Sequence, residues 1–189
     1  VIDTGLDLDH PSFDPAAYDY ALGQEQGSWD LLDQEEIAQV LPRLTIAQDG
    51  LTAADLYRNT KVAFGYNYVD TNLRITHDYD NFGGHGSHVA GISAANRYIP
   101  EADGYLRAAD TVFVSGAAPD AQIITLKVAG VGGGIAESDY MAAIEDAILL
   151  DCDAVNLSLG SNMPGEVYNN TSVYAELLDY LSTTDTVVA

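Results

Sequence analysis

The sequence predicts an α/β domain in which helices pack on both faces of a parallel β-sheet. Short apolar runs rich in β-branched residues alternate with stretches of helical periodicity along the 189 residues. These segment lengths suit strand–helix–strand units, whose neighbouring strands run parallel. Most of the strand-like runs are continuously apolar rather than alternating, as burial on both sides of such a sheet requires.

Each element follows from its own pattern. Six apolar runs are predicted as strands: residues 1–3, 62–69, 111–116, 121–128, 154–159 and 186–189. Between the last three of them, apolar side chains recur at three- and four-residue steps and predict two helices. The first helix carries Tyr140, Met141, Ile144, Ala147 and Ile148, and the second carries Tyr174, Leu177, Leu178 and Leu181. The stretch "HGSHVAG", which begins at His85, predicts the opening of another helix, whose small side chains suit burial.

Two segments depart from this rhythm. Residues 11–60 are acidic and polar, with helix-like patches such as "DQEEIAQVL", and residues 97–111 are predicted as a shorter irregular link. Both are predicted to be surface insertions within one domain that covers residues 1–189. Because Val1 opens directly on a core strand, we expect both upstream sequence and a leader to precede it.

Composition limits the classes of partner. Seven basic residues against 29 acidic ones give a net charge of −22, which repels nucleic acid and anionic lipid. No apolar run approaches the ~18 residues that a membrane-spanning helix needs, so we expect no membrane insertion. The single cysteine, Cys152, has no partner for an internal disulfide. We expect it to be a buried apolar residue without a catalytic role.

Candidate catalytic side chains lie where strands are predicted to end. Asp3 follows the first strand, and Gly5 permits a sharp turn that presents its carboxylate, although an ordinary turn aspartate would look the same. His85, in the first turn of its helix, is placed near the same sheet edge. A carboxylate beside an imidazole fixes its tautomer and leaves the other ring nitrogen as a base. His88 shares a helix face with Ile92, so we expect it to pack.

The stretches "VIDTGLDLD" and "HGSHVAGISA" resemble the aspartate and histidine signatures of the subtilisin-like serine peptidases, the subtilases. "NLSLG" resembles their substrate-binding strand, and the similarity continues in order through "APDAQIITLKV" and "GVGGG". The long acidic segment resembles that of the bacterial cell-envelope, lactocepin-like branch. The resemblance implies a subtilisin-like fold, extended polypeptides as substrates, and a location that is extracellular or associated with the cell wall.

The resemblance also implies roles for individual residues. Asp3 would orient the imidazole, His85 would act as general base and His88 would be structural. Two backbone edges would hold the peptide, the first formed by Ser158, Leu159 and Gly160 and the second by Gly132, Gly133 and Gly134. Catalysis would need no cofactor. The family allows structural calcium, but its ligands cannot be assigned from this sequence.

The nucleophile expected from the resemblance is a serine in a Gly-Thr-Ser-Met-Ala pattern, which does not occur here. We therefore expect the amino-terminal part of one catalytic domain, truncated before the nucleophile helix. Such a part would be inactive alone and would have the remainder of its own domain as a partner.

Three other interpretations stay open at this stage. Asp-Thr-Gly is also the motif of aspartic peptidases, which need two such carboxylates and an all-β fold. His85 and His88, with Asp78 or Asp80, would be the candidate ligands of a metal-dependent enzyme, although zinc helices usually space their histidines four apart. A peptide-binding domain that has lost its nucleophile would carry the same sequence features.

Overall fold

The computed structural model describes residues 1–25, 28–78, 81, 83–131, 134–160 and 173–189. In chain order its strands are β1 Ile2–Asp3, β2 Val62–Asn67, β3 Tyr98–Glu101, β4 Gly104–Arg107, β5 Ile123–Lys127, β6 Ala154–Val155 and β7 Val187–Val188. Its α-helices are α1 Pro15–Gln24, α2 Gln34–Val40, α3 Ala53–Leu56, α4 His85–Ala94, α5 Glu137–Leu149 and α6 Val173–Leu181. The two helices predicted from periodicity correspond to α5 and α6.

A parallel sheet forms the centre of the fold. Strand β5 lies between β1 and β2 and runs parallel to both. Asp3 at the end of β1 and Asn67 at the end of β2 are both in register with Lys127 at the end of β5. A second parallel pair, β6 with β7, lies beside β1, because Ile2 N donates to Asn156 O at 3.1 Å. The predicted parallel sheet is therefore confirmed, and three of its strands end at one edge.

Helices cover both faces of this sheet. On one face Phe64 of β2 belongs to the same cluster of buried side chains as Ile144 of α5. On the other face Val62 and Ile123 share a second cluster with Ala90 of α4. All six residues of β2 are buried, which explains why its sequence does not alternate between apolar and polar side chains. The α/β class with helices on both faces is confirmed.

The acidic segment 11–60 folds as helices with their own capping side chains. Asp14 caps α1 by accepting from Ala17 N at 2.7 Å, and Asp33 forms a capping box with Glu36 at the start of α2. The segment also contributes four side chains to the larger core cluster, namely Ile37, Leu44, Ile46 and Leu56. Its predicted role as a surface insertion stays a prediction, but part of it is core.

Segment 97–111 is not an irregular link, as the sequence predicts, but contains the antiparallel hairpin β3–β4. Tyr20 of α1 stacks on Tyr105 at 4.6 Å between ring centroids and meets Tyr98 edge-on at 5.1 Å. A short hairpin is marginal alone, so support of this kind from a helix distant in sequence helps to explain why it forms here.

The predicted strand at residues 111–116 is wrong. Val112 is 95% exposed and Val114 is 61% exposed, and neither pairs with another strand. The chain is instead held at the end of α4, where Gly116 N donates to Ala95 O at 2.9 Å. Its β-branched residues match a strand pattern without a neighbouring strand to complete it. Within the described residues, no helix is long and apolar enough to cross a membrane.

Candidate active site

Asp3 and His85 are 82 positions apart in sequence and meet at the carboxyl edge of the sheet. The Nδ1 atom of His85 lies 2.7 Å from Oδ1 of Asp3. The Asp3 side chain is 1% exposed, whereas that of His85 is 49% exposed. One side of the imidazole therefore contacts a buried carboxylate while the rest of the ring remains open to solvent. The structure brings together the two side chains that the sequence predicts to be catalytic.

The residue after Asp3 joins the strand end to helix α4. Thr4 N donates to Asp3 Oδ1 at 2.7 Å, which orients the carboxylate. The Thr4 hydroxyl accepts from Gly86 N at 2.9 Å, in the first turn of α4. Because α4 has no side-chain cap of its own, this hydroxyl satisfies one of its free N–H groups. The positive end of the helix dipole also favours a carboxylate at this position.

Two glycines allow the close approach that this geometry needs. A Cβ atom on Gly86 would lie 2.3 Å from Gly5 O, which is closer than real contacts permit, and 3.1 Å from Asp3 Cβ, which is tight. Gly5 has φ of +114°, and a Cβ atom there would lie 2.2 Å from Ile75 O. Both positions therefore require glycine, and main chain packs directly on main chain beneath the Asp3–His85 pair.

A buried lysine completes this arrangement. Lys127 ends β5, is 3% exposed, and its Nζ donates to Thr4 O. Its side-chain Cδ lies 3.2 Å from the position that a Cβ atom on Gly5 would take. Neither Thr4 nor Lys127 is singled out in the sequence-based prediction. The available signal was a lysine inside the apolar run "AQIITLKV", where a charged side chain needs a buried partner.

His88 does not pack as predicted. It lies one turn beyond His85 in α4, and its side chain is exposed, as is that of Ile92, which is 59% exposed. The opposite side of α4 is buried through Gly86, Ala90 and Ala94. The predicted burial of α4 therefore holds for one face of the helix, whereas the face that carries His88 is open.

The predicted substrate-binding residues are only partly described. Strand β6 ends at Val155, and the following residues up to Gly160 are outside any strand. Ser158 is exposed, and its hydroxyl donates to Asn156 Oδ1 at 2.8 Å. Leu159 is half-buried, and Gly160 is exposed.

On the second predicted edge, Gly134 is exposed, and a Cβ atom there would meet nothing within 4 Å. Gly132 and Gly133 lie outside the described residues. Among the three glycines of this predicted edge, the structure describes only Gly134, which faces open space.

One candidate ligand of the metal-dependent alternative, Asp80, lies outside the described residues. Across the described ranges there is no group of three or more His, Cys, Asp or Glu side chains able to hold a metal ion. Calcium ligands therefore stay unassigned. Burial raises the pKa of the Cys152 thiol to about 11, which keeps it protonated and weakly nucleophilic at neutral pH.

Comparison with known proteins shows similarity to one family. The sequence model of the subtilase family matches residues 1–188. The chain is 35% identical over 122 residues to the PI-type proteinase of Lactococcus lactis subsp. cremoris, covering 63% of this chain and 6% of that protein. It is 33% identical over 114 residues to the minor extracellular protease Vpr of Bacillus subtilis strain 168, covering 58% of this chain and 12% of that protein.

A plant relative covers more of the chain. The subtilisin-like protease SBT1.9 of Arabidopsis thaliana is 31% identical over 161 residues, covering 85% of this chain and 20% of that protein. The matches thus span a small part of these much longer relatives.

Proposed function

The chain belongs to the subtilase family, a family of serine peptidases, and from that premise we propose that it supplies the aspartate and histidine of a serine endopeptidase. The observation that carries the proposal is the 2.7 Å contact between Asp3 Oδ1 and His85 Nδ1 at the carboxyl edge of a parallel sheet.

In the proposed mechanism Asp3 orients the imidazole. The Nδ1–H group of His85 donates to the Asp3 carboxylate, which leaves the lone pair of Nε2 on the exposed part of the ring. His85 then removes the proton of a serine hydroxyl as that oxygen attacks the scissile carbonyl, and Asp3 stabilises the imidazolium formed. The serine is proposed to lie outside these 189 residues, so this part alone is expected to be inactive. No cofactor is required for these steps.

The substrate is proposed to be an extended polypeptide. Ser158 and Gly160 are exposed, and no backbone hydrogen bond involves either residue among the described residues. Both residues follow strand β6 closely in sequence, where exposed backbone groups suit pairing with a peptide strand. The open space at Gly134 supports a second edge there, together with Gly132 and Gly133.

The exposed face of α4 supports a further part of the proposal. Ile92 lies on the same side of the helix as the open part of the His85 ring and is 59% exposed, and we assign this apolar side chain to contact with the remainder of the catalytic domain. Replacing Ile92 with glutamate should then destabilise the full-length protein and leave the 189-residue chain unchanged. Equal effects in the two proteins would contradict this assignment.

A location outside the cell is proposed on two grounds. One relative is named an extracellular protease, and the chain combines a charge of −22 with a single cysteine. Fractionation of the source cells, followed by detection with an antibody, tests this directly. Recovery in the cytoplasmic fraction alone would contradict it.

The catalytic proposal is tested with the full-length protein and an unfolded, fluorescently labelled polypeptide. Wild-type protein should cleave it and should react with a serine-directed fluorophosphonate probe. Asp3→Asn should lower kcat by ~10⁴-fold, because the imidazole loses its orienting carboxylate. His85→Gln should abolish turnover. His88→Gln is the matched control, since it changes the same residue type one turn along α4 and should retain activity.

Two results would point elsewhere. Binding of the polypeptide without cleavage, and without reaction with the probe, would favour a peptide-binding domain that has lost its nucleophile. Loss of activity with a chelator, restored by zinc and accompanied by equal effects of H85Q and H88Q, would favour a metal-dependent enzyme.

A further inference from the structure

The chain has only two lysines, Lys61 and Lys127, and both are buried at opposite ends of the sheet. Lys61 directly precedes β2 at the edge far from Asp3. Lys127 ends β5 and is in register with Asp3 across the β1–β5 pair. Burial of an amine costs free energy unless polar partners compensate it. The amines of the two lysines donate to carbonyl groups in different parts of the chain, so Lys61 serves as a comparison for Lys127.

The Lys127 amine contacts the turn that carries the catalytic carboxylate. Its Nζ donates to Thr4 O, one residue beyond Asp3. Its side-chain Cδ lies 3.2 Å from the position of a Cβ atom on Gly5, so the aliphatic part runs beneath the turn. An apolar side chain of the same length would fill this space. It would leave the Thr4 carbonyl without this donor.

Thr4 in turn is hydrogen-bonded to the Asp3 carboxylate and to the helix that presents His85. Its N–H group donates to Asp3 Oδ1 at 2.7 Å, and its hydroxyl accepts from Gly86 N at 2.9 Å. Gly86 follows His85 in α4, so the same residue holds the carboxylate and the helix that presents the imidazole. Movement of the Thr4 peptide group would change both partners of the 2.7 Å contact at once.

We infer that Lys127 is a positioning residue for the Asp3–His85 pair, acting through the carbonyl and hydroxyl of Thr4. The Lys127 amine is bonded to the turn that carries Asp3, so we expect its loss to lower turnover more than substrate binding. This inference deepens the proposed peptidase function and rests on it for its kinetic test. Its structural test does not depend on activity.

The kinetic test uses the full-length protein with Lys127→Met, Thr4→Val, the double variant and Lys61→Met. K127M should lower kcat by ~10²-fold with KM changed less than ~3-fold, as expected for misplacement of catalytic groups. T4V should act in the same direction. Both variants interrupt the same series of contacts, which runs from Lys127 through Thr4 to the Asp3–His85 pair. The kcat of the double variant should therefore be no lower than that of the more impaired single variant. K61M should keep the wild-type kcat.

The structural test uses the proton on Nδ1 of His85, observed by NMR in the 189-residue chain. A low-field resonance from this proton should be present in the wild-type chain and in K61M, and should be shifted or lost in K127M and T4V. Fully additive kinetic effects, or an unchanged resonance in both K127M and T4V, would overturn the inference. Absence of cleavage by wild-type protein would refute the peptidase proposal instead, and the resonance would still decide the role of Lys127. If K127M does not fold, T4V and its resonance decide it.

Discussion

Lys61 provides a quantitative test of how burial of an ionisable group changes the stability of this fold with pH. Its side chain is fully buried, its Nζ donates to Pro119 O at 2.9 Å and Ala121 O at 2.7 Å, and it lies 4.6 Å above the centre of the Tyr18 ring. Desolvation lowers the pKa of Lys61 from 10.5 to about 7, against an opposing attraction from Asp120. The two carbonyl oxygens can accept from both N–H groups of a neutral Lys61 amine.

The sign of the resulting pH dependence follows from the lowered pKa. Between pH ~7 and ~10 the unfolded chain binds a proton at Lys61 that the folded chain releases, so stability rises with pH in this window. At ~1.4 kcal/mol per pKa unit, the full shift corresponds to about 5 kcal/mol. The part expressed between pH ~7 and ~9 is about 2 kcal/mol.

The perturbation that isolates this effect is Lys61→Met, measured by urea unfolding at a series of pH values. Other titrating groups, including Cys152, are common to both proteins and cancel in the difference. The free energy of unfolding of wild-type protein minus that of K61M should rise by about 2 kcal/mol between pH ~7 and ~9. A flat difference would refute the argument. A falling difference would show that contacts with the Tyr18 ring and Asp120 stabilise the ammonium more than burial destabilises it.

Further predictions concern packing and a buried carboxylate, each measured by denaturant unfolding. Gly86→Ala should cost several kcal/mol, because its Cβ would lie 2.3 Å from Gly5 O, whereas Gly91→Ala in the same helix meets nothing within 4 Å and should stabilise by ~0.5–1 kcal/mol. Equal effects would contradict the main-chain contact. Tyr68→Phe should cost ~1.5–3 kcal/mol, because its hydroxyl donates to the buried carboxylate of Asp146 at 2.8 Å; a change below ~0.5 kcal/mol would refute this. Burial raises the pKa of Asp146, so the stability of wild-type protein relative to Asp146→Asn should fall as pH rises above ~4 towards neutrality, and a rise would reverse the assigned cause.

Much of the fold and the central pair of the site could be predicted from local patterns. Continuous apolar runs indicated the buried parallel strands, and the periodicity around Ile144 and Leu177 indicated α5 and α6. The roles of Asp3 and His85 were predicted from the resemblance of their two motifs to the subtilase signatures, because an aspartate in an ordinary turn has the same local pattern.

Features that depend on contacts distant in sequence were missed. The β3–β4 hairpin packs against Tyr20 of α1, and no local pattern in residues 97–111 reports that contact. Val112 and Val114 have strand-like side chains without a strand beside them. His88 was expected to pack because it shares a helix face with Ile92, yet burial of a helix face depends on what lies opposite. Lys127 was missed because its partner, the Thr4 carbonyl, is 123 positions away.

The Asp3–His85 pair can form only after the contact between Gly5 and Gly86 has formed. Two sequence segments far apart must complete their docking before the carboxylate can orient the ring, and long-range contacts of this kind form slowly. In a newly synthesised or partly unfolded chain, the Asp3 carboxylate and the His85 imidazole are therefore solvated and do not interact. Orientation of the imidazole by the carboxylate therefore requires that these two segments are already packed together.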